Sequence, residues 1–172
     1  MTGAPGLAGG VRPGRGHWLA FGGLAAAVFV ADQLLKAWIV AGFEVGVPVD
    51  LVGSYLRITI SHNTGALFGL FRDQAVLFAL FSLAVIAFIV WYHGRSSRSA
   101  LQSIALGLLL GGALGNLVDR VRLGYVVDFV DMGLGSWRFY TYNVADAAIT
   151  TAILLLVVLA FWSGRRAGTA GG

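Results

Sequence analysis

The chain has 172 residues, 58% of them hydrophobic and only 12% charged, with a mean hydropathy of +0.81. Soluble domains are roughly 45–50% apolar and about 25% charged, so this chain cannot cover a water-facing surface, and it has too much Leu, Val and Phe for disorder. The absence of cysteine removes disulfides, thiolate nucleophiles and cysteine metal sites, and the formal net charge of +4 comes without the basic stripe that nucleic acid requires.

Four runs approach the ~20 apolar residues that cross a bilayer, which predicts an all-α integral membrane protein of four transmembrane helices, a single membrane-embedded domain over residues 1–172. Residues 1–16 are rich in glycine and read as a mobile tail. The first run, residues 18–41, is interrupted only by Asp32, Gln33 and Lys36. A cleavable signal peptide is the competing reading of residues 1–42. Its stretch is too long, it lacks an A-x-A site, and Asp32 and Lys36 lie inside it, so an uncleaved helix is expected.

Next, Leu56, Ile58 and Ile60 alternate with Arg57, Thr59 and Ser61 after Pro48 and Gly53-Ser54, which predicts a short β-strand. His62-Asn63-Thr64-Gly65 reads as a turn, and residues 66–71, too short to span, as an interfacial segment. The second run, 75–92, has Ser82 as its only polar residue. The third, 100–118, carries Gln102, Ser103 and Asn116, and its Gly107, Gly111 and Gly115 recur every four residues, a face for close helix packing. Val126 to Val130 is extended in character, and Trp137, Tyr140 and Tyr142 suit a membrane–water boundary. The fourth run, 144–162, carries Asp146 near its start, and residues 164–172 form a second small-residue tail.

Orientation follows from the basic flanks. Arg12 and Arg15, Arg95 and Arg98, and Arg165 and Arg166 lie in three segments without Asp or Glu, whereas the segments between runs one and two and between runs three and four mix signs. Both termini are therefore expected in the cytoplasm.

The ionisable residues inside the runs gather toward the outer side. Such groups cost roughly 2.5–3.5 kcal/mol each on insertion scales and by default mark function. Asp32 and Lys36 stand one turn apart, Asn116 and Asp119 end the third run, and Asn143 and Asp146 repeat the Asn-x-x-Asp spacing on the fourth. Structural readings compete. Asp32–Lys36 can be an ion pair whose lysine snorkels outward, Asp119–Arg120 an interfacial pair, the two asparagines interhelical hydrogen-bonders, and Asp131 a solvated loop residue. Asp146 has no base within a turn and resists such an account.

Nucleophilic triads fail for lack of Cys, of Gly-x-Ser-x-Gly, and of a histidine placed beside a serine, since His17, His62 and His93 are far apart. The histidines also lack metal-ligand spacing, so no metal is expected. Paired carboxylates remain: two Asp held close cannot both ionise, so one keeps a proton while the other acts as base toward water, with no cofactor. Position alone offers Asp128 or Asp119 as the partner of Asp146.

Five blocks together resemble one family, the lipoprotein signal peptidases (signal peptidase II). Asp32-Gln33-Leu34-Leu35-Lys36 is similar to its D-Q-x-x-K block, and Asn63 to Gly69 to N-x-G-A-A-F-G, with Leu67 replacing an Ala. Gly115 to Arg120 matches G-N-L-x-D-R, Val126 to Phe129 matches V-V-D-F, and Tyr142 to Ile149 matches F-N-x-A-D-x-x-I with Tyr for Phe. The resemblance implies an aspartic endopeptidase of the bacterial cytoplasmic membrane, multi-pass and with its active site at the outer face. It would cut prolipoproteins before the diacylglyceryl-modified cysteine. It implies Asp128 and Asp146 as the catalytic pair, Asn63, Gly65, Asn116, Asp119, Arg120 and Asn143 as site-shaping or substrate contacts, and Asp32 and Lys36 as mainly structural. Diacylglyceryl-prolipoproteins and membrane lipid are the expected partners, and a monomer the expected state. A small-solute or proton-coupled transporter and a non-catalytic assembly subunit are the alternative readings.

Overall fold

The computed structural model describes residues 13–65, 74–95 and 99–169, without the side chains of 163–169. Four helices carry the apolar runs: α1 (Arg15–Gly42), α2 (Ala75–Arg95), α3 (Ala100–Leu123) and α4 (Val144–Thr169). Each is long and apolar enough to cross a membrane. Side chains such as Leu19, Trp38, Leu80 and Phe161 stay exposed on α1, α2 and α4, as lipid-facing positions do. The most apolar stretch of α3 is 56% buried against 6% for α2, which makes α3 the central helix.

The glycines of α3 explain how. A Cβ on Gly107 would meet the Phe21 carbonyl at 2.7 Å, one on Gly111 the Ala25 carbonyl at 2.6 Å, and one on Gly115 a carboxylate oxygen of Asp32 at 2.5 Å. The glycine stripe is thus the seam against α1, as the small-residue spacing predicts. Gly112, which the spacing did not single out, makes the corresponding approach to α4 through the Ala145 carbonyl. Ser99 and Gln102 close a capping box at the start of α3, and Gly124 ends it in the left-handed conformation.

The small β element is a four-stranded antiparallel sheet in the order β1 (Val49–Val52), β2 (Leu56–Asn63), β3 (Val126–Leu134), β4 (Trp137–Arg138). The alternation of Leu56, Ile58 and Ile60 marks β2 correctly, and Ile58 and Ile60 pack with Val127, Phe129 and Ile39 of α1. Two expectations need correction, and a third falls where the structure gives no description. His62 and Asn63 continue β2 rather than forming a turn, because they pair with Val127 and Val126. Asp131 is a buried strand residue, held by Arg138 at 2.8 Å and by the Thr59 hydroxyl at 3.1 Å. Its polarity suggested a loop, whereas an arginine from the next strand satisfies it. The interfacial segment expected at 66–71 lies outside the described residues.

A register shift of one residue between Ile58/Val130 and Ser61/Asp128 places a bulge in β2 beside Asp128. Tyr142 bridges to Val130 in both directions, at 2.8 and 3.1 Å. This fastens the start of α4 to the strand that carries Asp128.

Candidate functional site

Asp128, near the start of β3, and Asp146, in the first turn of α4, come together where the sheet meets the helices. Asn143 joins them. Its side-chain amide donates to Asp128 Oδ1 at 2.7 Å, its backbone N–H donates to Asp146 Oδ2 at 3.3 Å, and its Oδ1 accepts from the Asp146 N–H at 2.9 Å. The last bond is an N-cap, which is why Asn precedes Asp by three at a helix start.

Each carboxylate has a second amide. Asn63 Nδ2 donates to Asp128 Oδ2 at 3.0 Å and Asn116 Nδ2 to Asp146 Oδ1 at 2.8 Å. Asn116 Oδ1 in turn accepts from Asn143 at 3.2 Å. Three asparagines from three elements therefore cradle two aspartates. Burial and the neighbouring charge of Asp146 push the Asp128 carboxyl up to about 7, against the lowering hydrogen bonds of Asn63 and Asn143 and the charge of Lys36. A carboxyl with that value holds a proton near neutrality, and a second carboxylate beside it can accept one.

Asp119 is not in this pair. It accepts the Val127 N–H at 3.1 Å and lies 2.8 Å from the Lys36 ammonium, so of the two partners that position offered, Asp128 is the one beside Asp146. Nor does it pair with its neighbour Arg120, which donates to the Asn116 and Gly65 carbonyls and lies over the Phe78 ring. Gly65 also donates its N–H to Asn63 Oδ1, a local loop contact. Asp32 and Lys36 form the i,i+4 pair at 2.8 Å, but Lys36 does not snorkel: it is 4% exposed and turned toward Asp119. Gln33, the remaining polar residue of the first run, donates to Asp119 at 2.9 Å and so belongs to the same network.

Two apolar cavities border Asp146. One, of about 460 Å³, lies between α4 and the β3–β4 edge, with Met132, Trp137 and Tyr142 in its wall. The other, of about 500 Å³, lies among α2, α3 and α4, with Phe81, Leu109, Arg120 and Ile153 in its wall. Tyr140 borders both. Its phenol is pushed up by burial and by the charges of Asp146 and Asp128, so it is neutral at pH 7. Such cavities suit apolar groups attached to a polar centre.

One expectation about nucleophiles is overturned. His93 does stand beside a serine, with Nε2 3.2 Å from Ser103 Oγ. Both are fully buried, and His93 stacks on Phe21 at 4.2 Å under the edge of Trp18. Thirteen residues separate Ser103 from Asn116 along α3, about 20 Å, so this contact lies far from the aspartates and packs the opposite end of the bundle.

A family model described as signal peptidase (SPase) II matches residues 24–162. The chain is 40% identical over 139 residues to a lipoprotein signal peptidase of Syntrophomonas wolfei, covering 81% of this chain and 91% of that one. It is 39% identical over 145 residues to one of Geobacillus kaustophilus, covering 84% and 94%. A solved bacterial membrane enzyme superposes with a TM-score of 0.78 at 26% identity, over 89% of this chain and 92% of that one.

Proposed function

Because the chain belongs to the signal peptidase II family, we propose that it removes the signal peptide from prolipoproteins as an aspartic endopeptidase, cutting before the diacylglyceryl-modified cysteine with Asp128 and Asp146. The observation that carries this reading is the amide cradle, in which Asn143 touches both carboxylates while Asn63 and Asn116 each hold one. It is a multi-pass bacterial membrane protein. The basic flanks support cytoplasmic termini and, with them, a site at the outer face.

The substrate's signal helix and acyl chains enter the bilayer, each buried CH₂ contributing about 0.8 kcal/mol. The cavities beside Asp146 then receive apolar groups and bring the scissile amide to the pair. With the Asp128 carboxyl raised to about 7 by burial and by the charge of Asp146, the pair shares a proton near neutral pH. A water adds to the carbonyl carbon as it gives a proton to the ionised carboxylate, and the protonated carboxyl donates toward the developing oxyanion. The proton then passes to the departing amine, and the two carboxyls exchange roles as the C–N bond breaks, so neither is acid or base throughout. No cofactor is needed. Matches to peptidases over more than four-fifths of the chain leave nothing that favours a transporter.

The test is cleavage of a diacylglyceryl-modified prolipoprotein by the purified protein in detergent. Wild type cuts before the modified cysteine, and folded Asp128→Asn and Asp146→Asn each lose about a thousandfold or more. Near-full activity in either variant removes the pair from the chemistry, and Asp119 is then the next residue to test.

A further inference from the structure

Lys36 makes more contacts than an ion pair within a helix needs. Its ammonium lies 2.8 Å from Asp32 Oδ2, 2.8 Å from Asp119 Oδ2 and 3.4 Å from Asn116 Oδ1, so its three donors meet three acceptors on two helices. A partner one turn away would suffice to neutralise it. The other two contacts call for a different reason.

The far ends of this hub supply one. Asp32 Oδ1 accepts the backbone N–H of Ala145 at 3.0 Å, the residue immediately before Asp146. Asp119 Oδ2 accepts the backbone N–H of Val127 at 3.1 Å, the residue immediately before Asp128. The third acceptor, Asn116, turns its Nδ2 onto Asp146 Oδ1 because its Oδ1 faces the ammonium and Asn143. One cation thus governs the backbone beside each aspartate and the amide on one of them.

We propose that Lys36 is a positioning residue for the reaction: tying Asp32, Asp119 and Asn116 together, it fixes how Asp128 and Asp146 face each other. The assignment rests on the peptidase reading for its kinetic consequences. It also gives the pair a nearby positive charge, which favours the ionised form. The charged and titratable groups that face the two aspartates, among the described residues, are Asp32 and Lys36 of α1, Asp119 and Arg120 of α3, and Tyr140 before α4. Lys36 is the only one of the two cations that also grips the backbone supports, since Arg120 donates to carbonyls of Asn116 and Gly65.

Two variants separate position from charge. In Lys36→Met, folded as judged by melting temperature and elution volume, kcat falls at least a hundredfold with KM within threefold, and the alkaline limb of kcat/KM moves to higher pH. In Lys36→Arg the charge stays, so the limb stays, but a planar guanidinium cannot aim at three acceptors from one point and kcat still falls at least tenfold. A residue that only stabilised the bundle would lower the melting temperature and leave kcat per folded molecule unchanged. Either folded variant keeping kcat within threefold of wild type overturns the proposal, as does failure of both to fold. If Lys36→Met alone cannot be recovered, Lys36→Arg decides.

Infrared titration of the carboxyl stretch in ¹³C-aspartate-labelled protein, without substrate, separates this proposal from the reading beneath it. If wild type does not cleave the prolipoprotein but the carboxyl bands that Asp128→Asn and Asp146→Asn abolish still shift in Lys36→Arg, which keeps the charge, the peptidase reading fails and the positioning role stands. Active wild type with an unmoved titration and unmoved kcat sinks the positioning role alone.

Discussion

Asn63 donates from Nδ2 to Oδ2 of Asp128 at 3.0 Å, the one bond by which β2 holds that carboxyl. A hydrogen bond donated to a carboxylate favours its ionised form. Asn63→Ala therefore raises the Asp128 value further above about 7. A hydrogen bond to a charged group contributes about 1.5 kcal/mol, or roughly one pH unit. The alkaline limb of kcat/KM should move up by about that much, while the maximal rate falls because the carboxyl is less firmly held. A limb that stays put or moves down contradicts a contribution of Asp128 to that limb.

Folding stability should carry the same signature. The folded-state value of Asp128, about 7, lies above its ordinary 3.8. Below about pH 4 both folded and unfolded chains hold the proton and the site contributes nothing. Between about pH 4 and 7 the unfolded chain gives its proton up while the folded chain keeps it, so stability falls as pH rises, and above about pH 7 the loss is complete. Asp128→Asn cannot ionise. Its melting temperature relative to wild type should climb across that window and then level off. A difference that does not change with pH contradicts the raised value.

Gly115 carries α3 against α1, and Gly112, one turn earlier, carries it against α4. A Cβ on Gly115 meets Asp32 Oδ2, and one on Gly112 meets the Ala145 carbonyl, each at 2.5 Å. Neither atom is free to move, because Asp32 is tied to Lys36 and Ala145 precedes Asp146. Gly115→Ala and Gly112→Ala should each cost about 1–3 kcal/mol of stability and also reduce kcat, whereas Gly23→Ala, with open space around it, should do neither. Thermal melts and initial rates on the three proteins check this.

Arg138 supports the sheet without facing the pair. It donates to Asp131 Oδ1 at 2.9 Å and to the Asp131 carbonyl at 3.2 Å. Arg138→Ala leaves Asp131 with Thr59 as its remaining side-chain donor, a loss of about 2 kcal/mol for a partly buried charge. The melting temperature should drop while the pH profile of the surviving activity matches wild type. A displaced alkaline limb instead places Arg138 in the electrostatics of the site.

The helices were legible because a bilayer span needs a length of apolar chain that nothing else in the sequence mimics. Leu56, Ile58 and Ile60 also announced their strand, since their alternation is a property of one segment. β1 and β4 did not announce themselves: Val49–Val52 is wholly exposed and Trp137–Arg138 has two residues, so neither carries a period to read. The depth at which Asp32, Asn116, Asp119, Asn143 and Asp146 gather could be counted along the helices. Which carboxylate faced Asp146 could not, because the answer depends on β3 folding back from the end of α3, and only the resemblance chose Asp128. Asp131 misled because a polar residue read alone suggests water, and His93 because its serine lies ten residues on in the next helix; the partners Arg138 and Ser103 are fixed by tertiary contact.

The tie between Asp32 and Ala145 spans 113 residues, which bears on how the chain is made. α1 leaves the ribosome long before α3 and α4 exist, carrying two groups that would each cost roughly 2.5–3.5 kcal/mol at mid-membrane. Spaced one turn apart and 2.8 Å from each other, they cancel within their own helix, so the span can be inserted as a nearly neutral segment. When the later helices arrive, Asp119 joins the ammonium and the Ala145 N–H joins Asp32. The pair that eases the first helix into the bilayer during synthesis is then the latch that receives the last.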